Sequence, residues 1–274
     1  MSNILLQPIK EKFYKDEKTI SGLRLRDRLW VNNHYLLPEC SLYRIVYAGN
    51  IWPKDADRSQ LPPEQHFKDL ILQNTSNPYV LDIEHWPWDI RSNSTVEVDE
   101  TISKLSTLLS WCRDVNPNGD YGFYSVGPIR DYWTPVSGDE GRINLWKNAN
   151  DYLKPLADVC DSFYPSLYTF YDNQEGWKKY AKANIIETRR LANGKGIRPF
   201  VWPRYHNSNA ELGFQSVPGD YWMLQLMTLA SARVDAIFAW DWSGFVTEEN
   251  GREDWTDESE FRVASRYWAR SMSI

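Results

Sequence analysis

Hydrophobic positions along this chain change period repeatedly, from alternation or short apolar runs to three- and four-residue spacing, and each change marks a strand giving way to a helix. Leu42 to Tyr47 (Leu-Tyr-Arg-Ile-Val-Tyr) has the short, β-branched and aromatic character of a strand. Pro62 to Leu72 carries Phe67, Leu70 and Ile71 on one side of a short helix. Tyr79 to Trp86 is again a strand, and Asp99 is placed to cap a helix through Cys112 in which Ile102, Leu105, Leu108, Leu109 and Cys112 recur at helical spacing. Asn116-Pro117-Asn118-Gly119 stops that helix. Tyr121 to Val126 is the next strand, a helix covers about Leu145 to Ala157, and Asp161 to Tyr168 is a strand. A helix from about Glu175 ends at Asn193-Gly194, Arg198 to Trp202 is a strand, and Gly219-Asp220 opens a helix through Ala232. Ala236 to Trp242 is the last strand, before an amphipathic helix from about Glu258 to Ala269.

Strands alternating with helices predict an α/β fold with a parallel sheet, and 274 residues is close to the roughly 250 of a closed (β/α) barrel. The expected fold is therefore a TIM-like (β/α) barrel, irregular, with seven or eight strands. Six strands are clear, and Leu23 to Val31 is the remaining source. The expected organisation is one catalytic domain over residues 1–274, with 1–38 as an irregular N-terminal extension. An open doubly wound sheet is the competing architecture, yet the turn after Tyr47 is Ala48-Gly49-Asn50-Ile51-Trp52-Pro53, without the glycine pattern of a nucleotide loop.

The strand Tyr-Val-Leu-Asp-Ile-Glu-His-Trp carries the candidate chemistry. Strand alternation puts Asp82 and Glu84 on one face with their Cα atoms roughly 6.5 Å apart, so each negative charge disfavours the other. Such a pair suits general acid/base work on a glycosidic bond. Glu84, nearer the strand end, is the general acid/base; Asp82 is either a direct nucleophile or the group that holds a nucleophile supplied by the substrate.

Composition adds a substrate class. The chain has 14 Trp and 16 Tyr, a content that suits either an aromatic core or a groove stacking sugar rings. A net charge of -6 and the lack of a long basic run argue against nucleic acid, and no apolar run is long enough to span a membrane. Residues 1–12 lack the pattern of a signal peptide, so the chain is expected to be soluble, either cytoplasmic or already processed for secretion. Cys40, Cys112 and Cys160 are expected to be buried free thiols. His34, His66, His85 and His206 are scattered, so neither a metal nor a cofactor is expected, and no protein partner is evident.

Leu81 to Asn93 resembles the catalytic strand of animal and venom hyaluronidases, with Asp82, Glu84, Trp86, Arg91 and Asn93 in register. Gly122-Phe123-Tyr124, Tyr164-Pro165-Ser166-Leu167-Tyr168, Pro199 to Tyr205 and Ile237 to Trp240 resemble that family's later strands in the same order. The resemblance implies a retaining, substrate-assisted hydrolase of polysaccharides containing N-acetylhexosamine. It makes Glu84 the acid then base and Asp82 the group that orients the attacking acetamido oxygen. Tyr168 would donate to that group, Tyr124 would assist, Trp240 would line the sugar subsite, and Trp86, Trp202, Asp241 and Trp242 are further candidate binding residues. Pro87 stands where the family carries Arg, and its disulfide cysteines are missing, which leaves the polysaccharide open. A muramidase with a similar carboxylate pair and a non-catalytic carbohydrate-binding barrel are the alternatives.

Overall fold

The computed structural model describes residues 29–31, 37, 40–73, 78–241 and 259–271, with side chains through residue 268 in the last stretch. In chain order the strands are β1 (Leu29–Val31), β2 (Ser41–Leu42), β3 (Arg44–Tyr47), β4 (Tyr79–Asp82), β5 (Tyr121–Phe123), β6 (Ser162–Phe163), β7 (Gly196–Ile197), β8 (Phe200–Val201) and β9 (Ile237–Ala239). The principal helices are α1 (Glu64–Leu72), α2 (Thr95–Val115), α3 (Glu140–Asp151), α4 (Lys154–Val159), α5 (Gln174–Ala192), α6 (Gly219–Ser231) and α7 (Glu260–Ser271). All strand pairings are parallel, in the orders β2-β1-β9-β8, β3-β4-β5 and β6-β7. The fold is thus mixed α/β with parallel sheets, as the alternating pattern predicts. No described helix is long and apolar enough to cross a membrane.

Two compact units divide the chain. One contains residues 43–166 and 183–199. Its strand β4 lies between β3 and β5, with Val80 opposite Ile45 and Gly122, and Leu81 opposite Val46 and Phe123. Tyr79, Val80 and Leu81 are at most 1% exposed, which explains the unbroken apolar run: a strand inside a parallel sheet has neighbours along both edges and packed layers over both faces. Helix α2 packs on α1 and α4 and buries Leu105, Leu108, Leu109 and Cys112. A satellite core of Val98, Ile129, Trp146, Ala149 and Leu153 is fixed by the Trp146 indole, which donates to the Ile129 carbonyl at 2.7 Å. Burying each of these large side chains stabilises the unit by roughly 1.5–3 kcal/mol.

The other unit contains the described residues of 1–42 and 200–274, together with 167–182. Trp30 and Phe200 both pack on Phe238, at ring separations of 5.8 and 5.4 Å. Helices α6 and α7 pack together: Trp222 donates to Ser265 Oγ at 2.8 Å, and Glu260 accepts from the Gly219 amide at 2.6 Å. The periodicity of α7 is borne out by Phe261, Val263, Ala264 and Trp268, all buried.

The observed strands are shorter than the apolar runs. Prolines cut two of them, since Pro165 and Pro199 have no N–H for a ladder. Around them, single bonds replace regular pairing: the Arg198 amide donates to the Phe163 carbonyl and the Leu167 amide to the Phe200 carbonyl, both at 2.8 Å. Helix α2 starts four residues before the expected cap. Ser94 and Glu97 form a capping box, Ser94 Oγ accepting from the Glu97 amide at 3.3 Å and Glu97 Oε2 accepting from the Ser94 amide at 2.9 Å. Asp99 instead accepts from the Tyr152 hydroxyl at 2.9 Å. The helix expected around Leu145 to Ala157 is two, α3 and α4, with Pro155 in the first turn of the second.

Gly122 of β5 lies directly against β6. A Cβ there would lie 2.1 Å from the Ser162 carbonyl oxygen and 2.8 Å from the Tyr164 ring. Gly122→Ala is expected to lower stability by about 3 kcal/mol or more, because backbone on the far side cannot give way, and urea unfolding measures this directly. An unchanged midpoint would mean that β6 shifts freely.

Candidate active site

The acidic motif straddles the end of β4. The strand stops at Asp82, so Ile83 to Trp86 run beyond the ladder and strict alternation does not extend to them. Asp82 is largely buried, whereas Glu84 is exposed at the open end with protein crowding around its carboxyl. Burial first and the charge of Glu84 second push the Asp82 carboxyl up to about 7. Glu84 is also raised by loss of hydration, opposed by the nearby positive charge of Arg130. The carboxyls therefore sense each other, as their spacing predicts, and they are unequal: the deeper one holds its proton to higher pH. Asp82 Oδ1 is buried and accepts no hydrogen bond from the described residues.

The motif's conspicuous neighbours brace the chain around these acids. Trp86 is buried, packs edge-on against Trp52 at 5.4 Å, and donates to the Arg58 carbonyl at 2.7 Å, while the Lys104 ammonium sits 5.3 Å from its ring centroid. These contacts tie the loop at residues 58–60 to the motif. His85 is exposed, with Nε2 2.9 Å from the same Arg58 carbonyl. Arg91 pairs with Asp89 at 2.9 Å and with Asp131 at 2.8 Å, and Asn93 donates to the Asp89 carbonyl at 2.9 Å. The Arg-x-Asn pair thus braces the turn after the acids. Beside the acidic strand, Tyr124 continues from β5, its amide donating to the Leu81 carbonyl at 2.9 Å and its hydroxyl to Ser166 Oγ at 3.0 Å.

The second unit gathers the other candidates. Tyr168 is buried and stacks on Trp240 at 5.9 Å and 21°, with Trp202 at 5.5 Å. Trp202 is buried, while Trp240 remains half-buried. Asp241 accepts from the Trp202 indole N–H at 2.8 Å and from Arg204 Nε at 3.3 Å, both charged groups being nearly fully buried. Those bonds make Asp241 the anchor of Trp202. Trp242 lies outside the described residues. The structure brings Asp82, Glu84 and Tyr124 into one unit and Tyr168, Trp202, Trp240 and Asp241 into the other.

Comparison with known proteins is informative only at the level of structure. The fold is similar to that of bee venom hyaluronidase. One crystal structure of that enzyme matches with a TM-score of 0.59 and 12% identity, over 79% of this chain and 91% of the other. A second, of bee venom hyaluronidase in complex with a hyaluronic acid tetramer, matches with a TM-score of 0.56 and 15% identity, over 73% and 78% respectively. No family model and no curated protein sequence matches.

Arg130, Ser166 and Arg204 were not singled out as site residues by the sequence pattern. Ser166 and Arg204 lie inside the Tyr-Pro-Ser-Leu-Tyr and Trp-Pro-Arg-Tyr motifs, so their place was marked though not their contacts; nothing local signals Arg130. All three cysteines are buried and none is in a disulfide, as expected. Among the described residues no three His, Cys, Asp or Glu gather as metal ligands would.

Two measurements follow from this geometry. Because the Asp82 carboxyl has an ordinary value of 3.8 and is raised to about 7, the folded state binds its proton more tightly than the unfolded state. Stability is therefore lost as pH rises from about 4 to about 7. Asp82→Asn removes this loss, gaining up to about 4 kcal/mol on wild type across that window in pH-resolved denaturation. A gap that stays constant with pH would contradict a raised Asp82. Asp241→Ala strands the buried Arg204 charge and is expected to cost about 3–5 kcal/mol in thermal or chemical unfolding.

Proposed function

We propose that this chain is a retaining, endo-acting glycoside hydrolase of (β/α)-barrel type that cuts a polysaccharide containing N-acetylhexosamine, with Glu84 as general acid/base and Asp82 as its partner. The observation that carries the reading is the coupled pair at the end of an apolar parallel strand, one carboxyl raised to about 7 and presenting a buried oxygen with no partner among the described residues. Placement at a strand's C-terminal end is where barrel enzymes keep their chemistry. The similarity to bee venom hyaluronidase supports a glycoside hydrolase.

An acetamido N–H meets the need of Asp82 Oδ1 for a donor. Accepting that bond stabilises the ionised form of Asp82, so its proton load shifts toward Glu84, which is coupled to it. Glu84 then protonates the glycosidic oxygen while the acetamido carbonyl oxygen attacks the anomeric carbon and the bond to the leaving sugar breaks. In the second half, Glu84 takes a proton from water as that water opens the cyclic intermediate. An Asp82 carboxyl engaged in accepting the acetamido N–H is not available to attack the anomeric carbon itself, which favours the substrate's own oxygen. In the other unit, the partly open Trp240 ring, backed by Tyr168, is the surface suited to a sugar face.

Turnover of hyaluronan and of soluble chitin tests the proposal. Glu84→Gln is expected to lower kcat by about 10²–10⁴-fold, and Asp82→Asn to lower turnover without abolishing binding. The rate should fall above about pH 7, where the pair loses its shared proton. A polymer lacking the 2-acetamido group should resist cleavage, and a thiazoline mimic of the cyclic intermediate should inhibit. Wild-type rates in both variants would sink the reading.

A further inference from the structure

The residue directly after Glu84 is held more firmly than its exposure calls for. His85 is open to solvent, and its Cα lies about 3.8 Å from that of Glu84, as for any two bonded neighbours. In a strand His85 and Trp86 would point to opposite faces. The ladder has already ended at Asp82, and both rings turn to one acceptor, the Arg58 carbonyl, at 2.9 Å from His85 Nε2 and 2.7 Å from the Trp86 indole nitrogen. That carbonyl is itself fixed. In its loop the Ser59 carbonyl accepts from Lys104 Nζ at 2.6 Å, the Gln60 carbonyl accepts from the Trp52 indole at 3.0 Å, and the Ser59 amide donates to Asp57 Oδ1 at 2.9 Å. Trp52 and Trp86 stand edge-on to the imidazole, at ring separations of 5.1 and 5.4 Å.

A carbonyl oxygen only accepts, so the hydrogen of the neutral imidazole is on Nε2, and Nδ1 carries the lone pair. Nδ1 makes no hydrogen bond to the described residues. A hydrogen bond open to water adds little stability, and ordering an exposed ring costs entropy, so stability does not account for the clamp. What the clamp does supply is an acceptor of fixed direction next to the general acid, and groups fixed beforehand bind with less entropy lost.

We infer that His85 is a substrate-binding residue, its Nδ1 accepting a hydrogen bond from a hydroxyl of a sugar adjoining the bond that Glu84 cleaves. The inference rests on the proposed hydrolase reading and adds a contact to that site. A hydroxyl is the fitting partner because it carries a hydrogen to donate and every ring of a polysaccharide bears one. The contact does not depend on any charge on the sugar.

Two substitutions separate the contact from the clamp, because the amide nitrogen of Gln falls where Nε2 lies and the amide oxygen of Asn falls where Nδ1 lies. His85→Gln therefore keeps the bond to the Arg58 carbonyl and loses the acceptor, whereas His85→Asn keeps the acceptor and loses the bond. Binding is measured by calorimetry in the Glu84→Gln background, with chitin and hyaluronan tetrasaccharides as probes. His85→Ala and His85→Gln are expected to weaken binding about tenfold, and His85→Asn to recover most of that loss. Urea unfolding is expected to give the parent midpoint in all three, since the ring is exposed. A residue that only anchors the loop gives the reverse order, with His85→Gln binding as the parent does and His85→Asn failing. That order overturns the inference, as does a parent that binds neither probe, or a fall in the urea midpoint that tracks the binding loss. In those cases loss of turnover in Glu84→Gln would still uphold the hydrolase reading. Conversely, normal turnover in that variant together with the expected binding losses would leave a carbohydrate-binding surface and remove the hydrolase.

Discussion

Two carboxyls crowd the end of one buried strand, and the acidic unit is arranged around the consequences. Strand β4 lies between β3 and β5 and its residues Tyr79, Val80 and Leu81 are buried, so an acid at its last position is pulled into low-dielectric surroundings. Asp82 occupies that position and keeps its proton to about pH 7; Glu84, two residues later and clear of the ladder, is more open and feels Arg130. The inequality needs no unusual residue. One side chain ends inside the sheet and the other just outside it, and the difference in hydration separates their proton affinities.

Most of the conspicuous residues near the pair act on the backbone. Trp86 and His85 bond to the carbonyl of Arg58, Arg91 bridges two aspartates, and Asn93 closes the turn after the motif. Rigid loops of this kind keep a reacting group within a fraction of an ångström of its working position. In the other unit a buried ion pair does comparable work, Arg204 and Asp241 together fixing the Trp202 indole. Such a pair adds little net stability, because desolvation offsets attraction, but it holds the indole in one orientation.

Much of the secondary structure was legible because hydrophobic period survives translation into backbone geometry. Helices α1, α5, α6 and α7 fall close to their apolar spacing, since a one-sided helix must bury its stripe. The strands were found but drawn too long. An apolar run reports burial, whereas a ladder needs a partner with a free amide, and Pro165 and Pro199 have none. The cap of α2 was misplaced for a similar reason: Asp99 is a good cap by residue type, but Ser94 with Glu97 closes a reciprocal pair of bonds and wins.

By itself, the sequence determined the α/β alternation, the shared neighbourhood of Asp82 and Glu84, and the burial of the three cysteines. These depend on local period and residue type. Tertiary structure alone decided which carboxyl keeps the proton, that Trp86 and Asp241 are anchors, and that Arg130 stands by the acids while Trp133 is held out to solvent. Each of those depends on what distant segments bring into contact. Hydration, charge and hydrogen bonding act through space, and the order of residues along a strand does not record them.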